Sequence, residues 1–403
     1  MKGKLLVLSS TYPADRQDTQ PRFVHLLCAN LVEQGFDVTV LAPNAPGLSA
    51  LQQVDGVRII RYRYFFRSCE SLAYGSGILE NLRNSPSKWM LVPFFFLGQA
   101  VALARLLHRE HWDLIHAHWV IPQGLIALLI RSLLKPGVPV MVTSHGGDLY
   151  ALHNQIGRML KRWVLSHADM LTVVSHAMKH FIQKQLKIKR SDILVLSMGV
   201  DLRERFSFSS ADQVDSHKLI YVGRLAEKKG VSVLLDAINL IKIDYPKVHL
   251  CIVGDGVLRE QLEQKVRDLR ITDQVSFLGA VRNDEVPGLL KQCCIAVVPS
   301  IVASDGDQEG LGLTAVEAMG CGCAVVASDL PALKDIVEDG VTGLFAKAGS
   351  EIDIAKKIAK LIEDKQLRED LRKNARDRVL SCYDWSVIGK AYSDFITDSL
   401  TRG

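Results

Sequence analysis

Two glutamates, Glu309 and Glu317, end the stretch EGLGLTAVE, the first beside a glycine and the second among Ala315, Val316, Ala318 and Met319. A carboxylate in so apolar a run is expected to be buried, and a buried carboxylate needs partners. A helix is expected to begin near Gly312 or Leu313, and the free N–H groups of Gly310, Leu311 and Gly312 would then point along its axis, a seat for phosphate oxygens. Carboxylates repel phosphate, so the two glutamates suit hydroxyl groups instead. Upstream, VGRLAEKKG sets Arg224 and Lys229 beside Gly223 and Gly230 after a β-rich run, which suits a diphosphate, although a solvated basic turn is the plainer reading of that stretch alone. Cations, a helix N-terminus and two carboxylates together fit a sugar nucleotide, one glutamate holding the transferred sugar and the other the ribose.

Histidines supply the second constellation. His116 and His118 alternate along HAHWVIPQG, but no third metal ligand accompanies them, so structural or substrate-contacting roles are expected. His145, followed by Gly146, Gly147 and Asp148, comes at a strand end where backbone can approach a ligand; a core histidine is the competing reading. Asp305-Gly306-Asp307 resembles the paired aspartates with which single-sheet sugar transferases hold a metal, yet beside Arg224, Lys229 and a helix N-terminus no metal is expected. VGDGVLR opens like a dinucleotide fingerprint but has Arg259 where the third glycine belongs, which argues against a dehydrogenase.

These residues must be positioned by a chain of 403 residues, more than one core usually serves, so two domains are expected. Short β-rich runs alternate with amphipathic helical stretches throughout, which reads as parallel sheets with crossover helices. The strands expected are KLLVLSS, FDVTVLAP, VRIIRY, DLIHAH, PVMVTSH, MLTVVS and DILVLSMG, then KLIYVGR, VHLCIVGDG, VSFLGA, CIAVVPS and AVVAS. The fold class is therefore α/β: two doubly wound Rossmann-like domains, residues 1–200 and 201–383, facing across a cleft, with a hinge in the polar stretch 199–216. Residues 384–403 form a last helix with no strand to feed, expected to pack back on the first domain. In such sheets ligands sit beyond the carboxyl ends of the strands.

A net charge of +5 is too weak to argue for nucleic acid, and 48% hydrophobic with 23% charged residues is ordinary for a globular protein. Eight scattered cysteines, without a CxxC pair, read as reduced core thiols in a cytoplasmic protein. MKGKLLVLSS reads as a first strand, its apolar run being short for a leader. Residues 89–104 are uncharged but short for a membrane span, so a buried or interfacial helix is expected. Residues 179–190 carry five positive charges among apolar residues and suit either an anionic lipid surface or a solvated helix face.

In order, HAHW, SHGGD, MGVD, VGRLAEKKG, VGDG, DGDQEGLGL, VEAMGCGCAVVAS, DGVTGLF and YDWS resemble the retaining glycosyltransferases of family 4, over nearly the whole chain. The resemblance implies a GT-B fold with an acceptor-binding first domain and a second domain that binds a nucleotide-diphosphate sugar. It implies a metal-independent hexosyltransferase with no cofactor, acting on a saccharide or lipid-linked precursor in polysaccharide synthesis, in the cytoplasm or at the inner membrane face. By resemblance Arg224 and Lys229 hold the donor diphosphate, Glu317 the ribose, Glu309 the transferred sugar, and His145 stands at the reaction centre. His118 and Asp148 fall on the acceptor side. Where many relatives have glycines in the first loop, this chain has Pro21 and Arg22, which makes Arg22 a candidate phosphate or acceptor contact. A nucleotide-sugar 2-epimerase of the same fold, or a non-catalytic nucleotide-sugar-binding partner, are the rival readings.

Overall fold

The apolar runs are short, rich in branched residues and apolar on both faces, so each needs cover on two sides, which crossover helices provide. The computed structural model describes residues 2–13, 22–44, 47–73, 77–207 and 215–402. The chain divides into two compact units: Met1–Val174, Met178–Gly199 and Ile388–Gly403 make the first, Ser175–Ala177 and Val200–Val387 the second.

In the first unit the strands are β1 (Lys4–Leu8), β2 (Asp37–Pro43), β3 (Leu51–Val54), β4 (Val57–Tyr62), β5 (Leu114–His118), β6 (Val140–Ser144), β7 (Met170–Val173) and β8 (Leu194–Val195). They lie in the order β3-β4-β2-β1-β5-β6-β7-β8. Only β3 runs antiparallel, joined to β4 by a tight turn at Asp55 and Gly56, both with positive φ. The second unit has β9 (Lys218–Val222), β10 (His249–Val253), β11 (Val275–Gly279), β12 (Ile295–Val298), β13 (Ala324–Ser328) and β14 (Leu344–Ala346), all parallel, in the order β11-β10-β9-β12-β13-β14. That is the doubly wound order, in which the winding reverses between β9 and β12, as it does between β1 and β5 in the first sheet. Central strands are buried end to end: β5, β6 and β13 expose no residue. The expected strands all form, and β3 and β14 are additions.

Part of the expected hinge, residues 208–214, and Pro21 of the first loop lie outside the described residues. The chain passes from the first unit to the second between Gly199 and Val200. The helix Trp385–Arg402 joins the first unit from Ile388 onward. Its Tyr392 is fully buried and donates to the Leu196 carbonyl at 3.2 Å.

The lipid reading of residues 179–190 does not survive. Ile182, Leu186 and Ile188 are buried and the Phe181 ring packs on Tyr150, so only the basic side faces water. The segment around residues 89–104 differs. Its helix, Leu91–Arg109, buries Phe95, Leu103 and Leu107 but leaves Phe94, Leu97 and Val101 exposed, with Met90 just ahead of it 76% exposed. By length and composition alone, Pro86–Arg109 is long and apolar enough to cross a membrane.

Candidate active site

In the second unit the site grows from the ends of β9 and β12. After β9 the chain makes a single helical turn, Glu227–Lys229, closed by Gly230 in the left-handed region at φ 67°. A Cβ at Gly230 would lie 1.9 Å from the Pro299 carbonyl oxygen, so only glycine lets this turn pass so close to the end of β12. The approach lines up three links. Lys229 Nζ is 2.6 Å from Glu309 Oε2, Lys228 Nζ is 3.1 Å from Asp307 Oδ1, and the Glu227 carboxylate accepts from the Ser304 N–H and hydroxyl. Arg224 stands exposed just beyond β9. Burial pushes the Glu309 carboxyl upward, but Lys229, Lys228 and Arg224 outweigh it and hold it below its ordinary range.

The expected helix runs Leu313–Gly320, capped by Gly312 at φ 95°. Among the described residues nothing accepts from the N–H groups of Gly310, Leu311 or Gly312. Ala315, Val316, Ala318 and Met319 are buried, while Glu317 is only partly covered and has no hydrogen bond or ion pair among the described residues. Burial raises its carboxyl to about 7, against the opposing charges of Arg205 and Lys229. Nothing in the sequence marks Arg205, which lies in the polar connector before β9 and whose charge acts on Glu317 only through the fold. Asp307 of the aspartate pair is engaged by Lys228, and Asp305 Oδ1 accepts from the Asp307 N–H. The described residues contain no group of three or more metal-ligating side chains arranged to hold an ion.

In the first unit, His118 ends β5 fully buried, its Nδ1 2.8 Å from Nε2 of His145, the two rings stacked. His145 is partly covered and flanked by Phe23 and Trp119, ring centroids 4.9 and 5.1 Å away. His116, one pleat earlier on the same face of β5, places Nε2 2.7 Å from the Thr143 hydroxyl, which lies 2.6 Å from that of Thr172. Burial pushes His116 and His145 down to about 3 and holds His118 well below its ordinary value, so all three are neutral at ordinary pH.

Asp148, the acceptor-side candidate, is turned inward. It is 6% exposed, with Oδ2 accepting from the Val120 N–H and Oδ1 from the Ser144 hydroxyl and the His145 N–H. Both oxygens are spent on tying the loop after β6 to the loop after β5, which fixes His145 from its backbone side. Lys161, also buried, holds the next turn by donating to the Leu149 and Ala151 carbonyls. Arg22 stands at the N-cap position of the helix Phe23–Glu33, its side chain making no cap hydrogen bond, and is partly buried.

Two Rossmann-like units, each with an open parallel sheet and polar side chains at the carboxyl ends of its strands, define the GT-B class of sugar-transferring proteins. The family description "Glycosyl transferases group 1" matches residues 203–378 and "Glycosyltransferase Family 4" matches residues 20–204. A phosphatidyl-myo-inositol mannosyltransferase of Mycolicibacterium smegmatis is 31% identical over 89% of this chain and 84% of its own. Among solved structures, the sucrose-phosphate synthase of Thermosynechococcus elongatus superposes with a TM-score of 0.82 at 20% identity over 100% of both chains. HepE of Anabaena, in complex with UDP and glucose, superposes at 0.75 and 20% identity over 98% of this chain and 100% of its own. The chain belongs to glycosyltransferase family 4.

Proposed function

We propose that the protein moves a hexose from a nucleotide-diphosphate sugar to a hydroxyl of a saccharide or lipid-linked acceptor, with retention of anomeric configuration and without a metal or cofactor. The Lys229–Glu309 pair carries this reading, because it sets a cation and a carboxylate 2.6 Å apart beside unclaimed backbone N–H groups. The diphosphate takes the N–H groups of Gly310, Leu311 and Gly312 together with Arg224 and Lys229. As the bond to the sugar breaks, charge accumulates on that diphosphate, and the same fixed donors stabilise it. Glu309, ionised by its lysine neighbours, accepts from hydroxyls of the transferred sugar, and Glu317 accepts from the ribose. His145, neutral, contacts the sugar as a hydrogen-bonding group. The leaving diphosphate helps take the acceptor proton. Arg22 is kept as an acceptor-side candidate.

A thermal-shift screen against UDP-, GDP- and ADP-sugars, with and without EDTA and repeated on Glu317→Ala, tests the donor site. The bound nucleotide of HepE makes UDP-sugars the first choice. Stabilisation by one nucleotide, unchanged by EDTA and lost in Glu317→Ala, is expected. Stabilisation that needs a divalent ion would overturn the metal-independent part.

The acceptor side belongs to the same proposal: the protein works in the cytoplasm, docked on the inner membrane face. The relative named for phosphatidyl-inositol points to a lipid acceptor. Met90, Phe94, Leu97 and Val101 form an exposed apolar stripe on a helix with no acidic residue, ending in Arg105, His108 and Arg109, which suits an anionic bilayer. Co-sedimentation with phosphatidylglycerol vesicles is expected for the native chain and lost in Phe94→Glu/Leu97→Glu. Equal sedimentation of both, or of neither, would overturn the docking.

A further inference from the structure

The contact between His118 and His145 needs a single proton. Both rings are neutral, so each has one N–H and one bare nitrogen, and which nitrogen of His145 is bare is set by its neighbour. Among the described residues, His118 Nε2 is buried without a hydrogen-bond partner, as is His116 Nδ1. If His145 donated to His118, the His118 proton would sit on Nε2, a buried N–H with no acceptor. If His118 donates from Nδ1, its orphan atom is a bare nitrogen instead. Unmade donors are rarer than unmade acceptors in folded proteins. The same reasoning puts the His116 proton on Nε2, donating to the Thr143 hydroxyl, which is then free to donate to Thr172.

We infer that His118 is a positioning residue that donates to His145 Nε2 and so holds the His145 proton on Nδ1, making His145 a hydrogen-bond donor toward substrate oxygen. Three further features hold the ring in place. Trp119 and Phe23 pack against it, and Asp148 accepts from its backbone N–H. Its Nδ1 has no partner among the described residues. His145 therefore offers its unclaimed edge an N–H rather than a lone pair, the form that suits a sugar oxygen and not the form of a general base. This rests on the proposed transfer reaction for its consequence, but not for the proton's location.

The test is a long-range ¹H–¹⁵N correlation spectrum of the full-length protein labelled at histidine, with His145 assigned from His145→Ala. A protonated Nδ1 and bare Nε2 on His145 are expected in the native chain. The pattern should persist in His118→Asn, whose amide can donate from nearly the same place, and average or invert in His118→Leu. Hydrolysis of whichever nucleotide sugar the thermal screen selects gives the second readout. There kcat should fall about tenfold or more in His118→Leu with KM nearly unchanged, and recover in His118→Asn. A native His145 protonated on Nε2 overturns the inference, as does an unaltered pattern in His118→Leu. If His118→Leu fails to fold, the native and His118→Asn spectra decide. If no nucleotide sugar binds or is hydrolysed, the transfer reading fails while the spectrum still locates the proton.

Discussion

At the scale of single residues, the site is held in unequal charge states by its neighbours. Glu309, beside two lysines and an arginine, stays ionised, whereas Glu317 is raised to about 7. A carboxylate accepts from ribose hydroxyls better than the acid does, so donor affinity should climb as pH rises from 6 to 8, by up to about tenfold. Calorimetric titration should show this slope and its loss in Glu317→Gln; a flat native profile would mean Glu317 is already ionised or does not touch donor. For stability the sign is opposite. The folded carboxyl holds its proton to a higher pH than the unfolded one, so this group costs stability as pH rises from its ordinary range through about 7. Lys229→Met should weaken nucleotide-diphosphate binding roughly tenfold to a hundredfold, the worth of one charge-assisted contact at about 1.5–3 kcal/mol. These residues were legible because glycines and strand ends mark them in the sequence. Arg205 and the spent oxygens of Asp148 were not, because their contacts join segments with no shared pattern.

Among the elements, the two switch-point strands do most of the positioning, and their alternation of apolar residues made them readable. β3 was missed although the Asp55-Gly56 turn advertises a hairpin, because LQQV is short and polar at an edge. β14 is three residues long and carries almost no periodic signal. The basic segment 179–190 misled because charge pattern says which face is wet, not what covers the dry one. The turn closed by Gly230 leaves no room for a side chain, so Gly230→Ala should destabilise by more than about 1 kcal/mol, from the left-handed backbone and the clash with Pro299 together. Urea unfolding should show a lowered midpoint; an unchanged midpoint would mean the loop after β12 moves aside freely.

For the whole molecule, the buried histidines set an acid limit. His116 and His145 have folded pKa values near 3, well below the ordinary value of about 6.5. Below that ordinary value the unfolded chain takes up protons that the folded one refuses, so stability falls with pH, each histidine contributing at most about 1.4 kcal/mol per pH unit. Melting temperatures at pH 7.5, 6.5 and 5.5 should decline increasingly steeply, and a flat series would mean these rings accept protons in place. The two-unit plan itself could be read from strand-helix alternation, since each sheet carries its own run of apolar strands. Finally, the first unit receives Tyr392 from the helix Trp385–Arg402, which follows the second unit in the chain, against the strands that bear the histidines. Because a ribosome delivers that helix only after the second unit, the histidine-bearing sheet must wait through the synthesis of that entire unit before one of its walls exists. A chain released early at residue 387 would therefore leave that sheet unfinished, whatever the state of the half made after it.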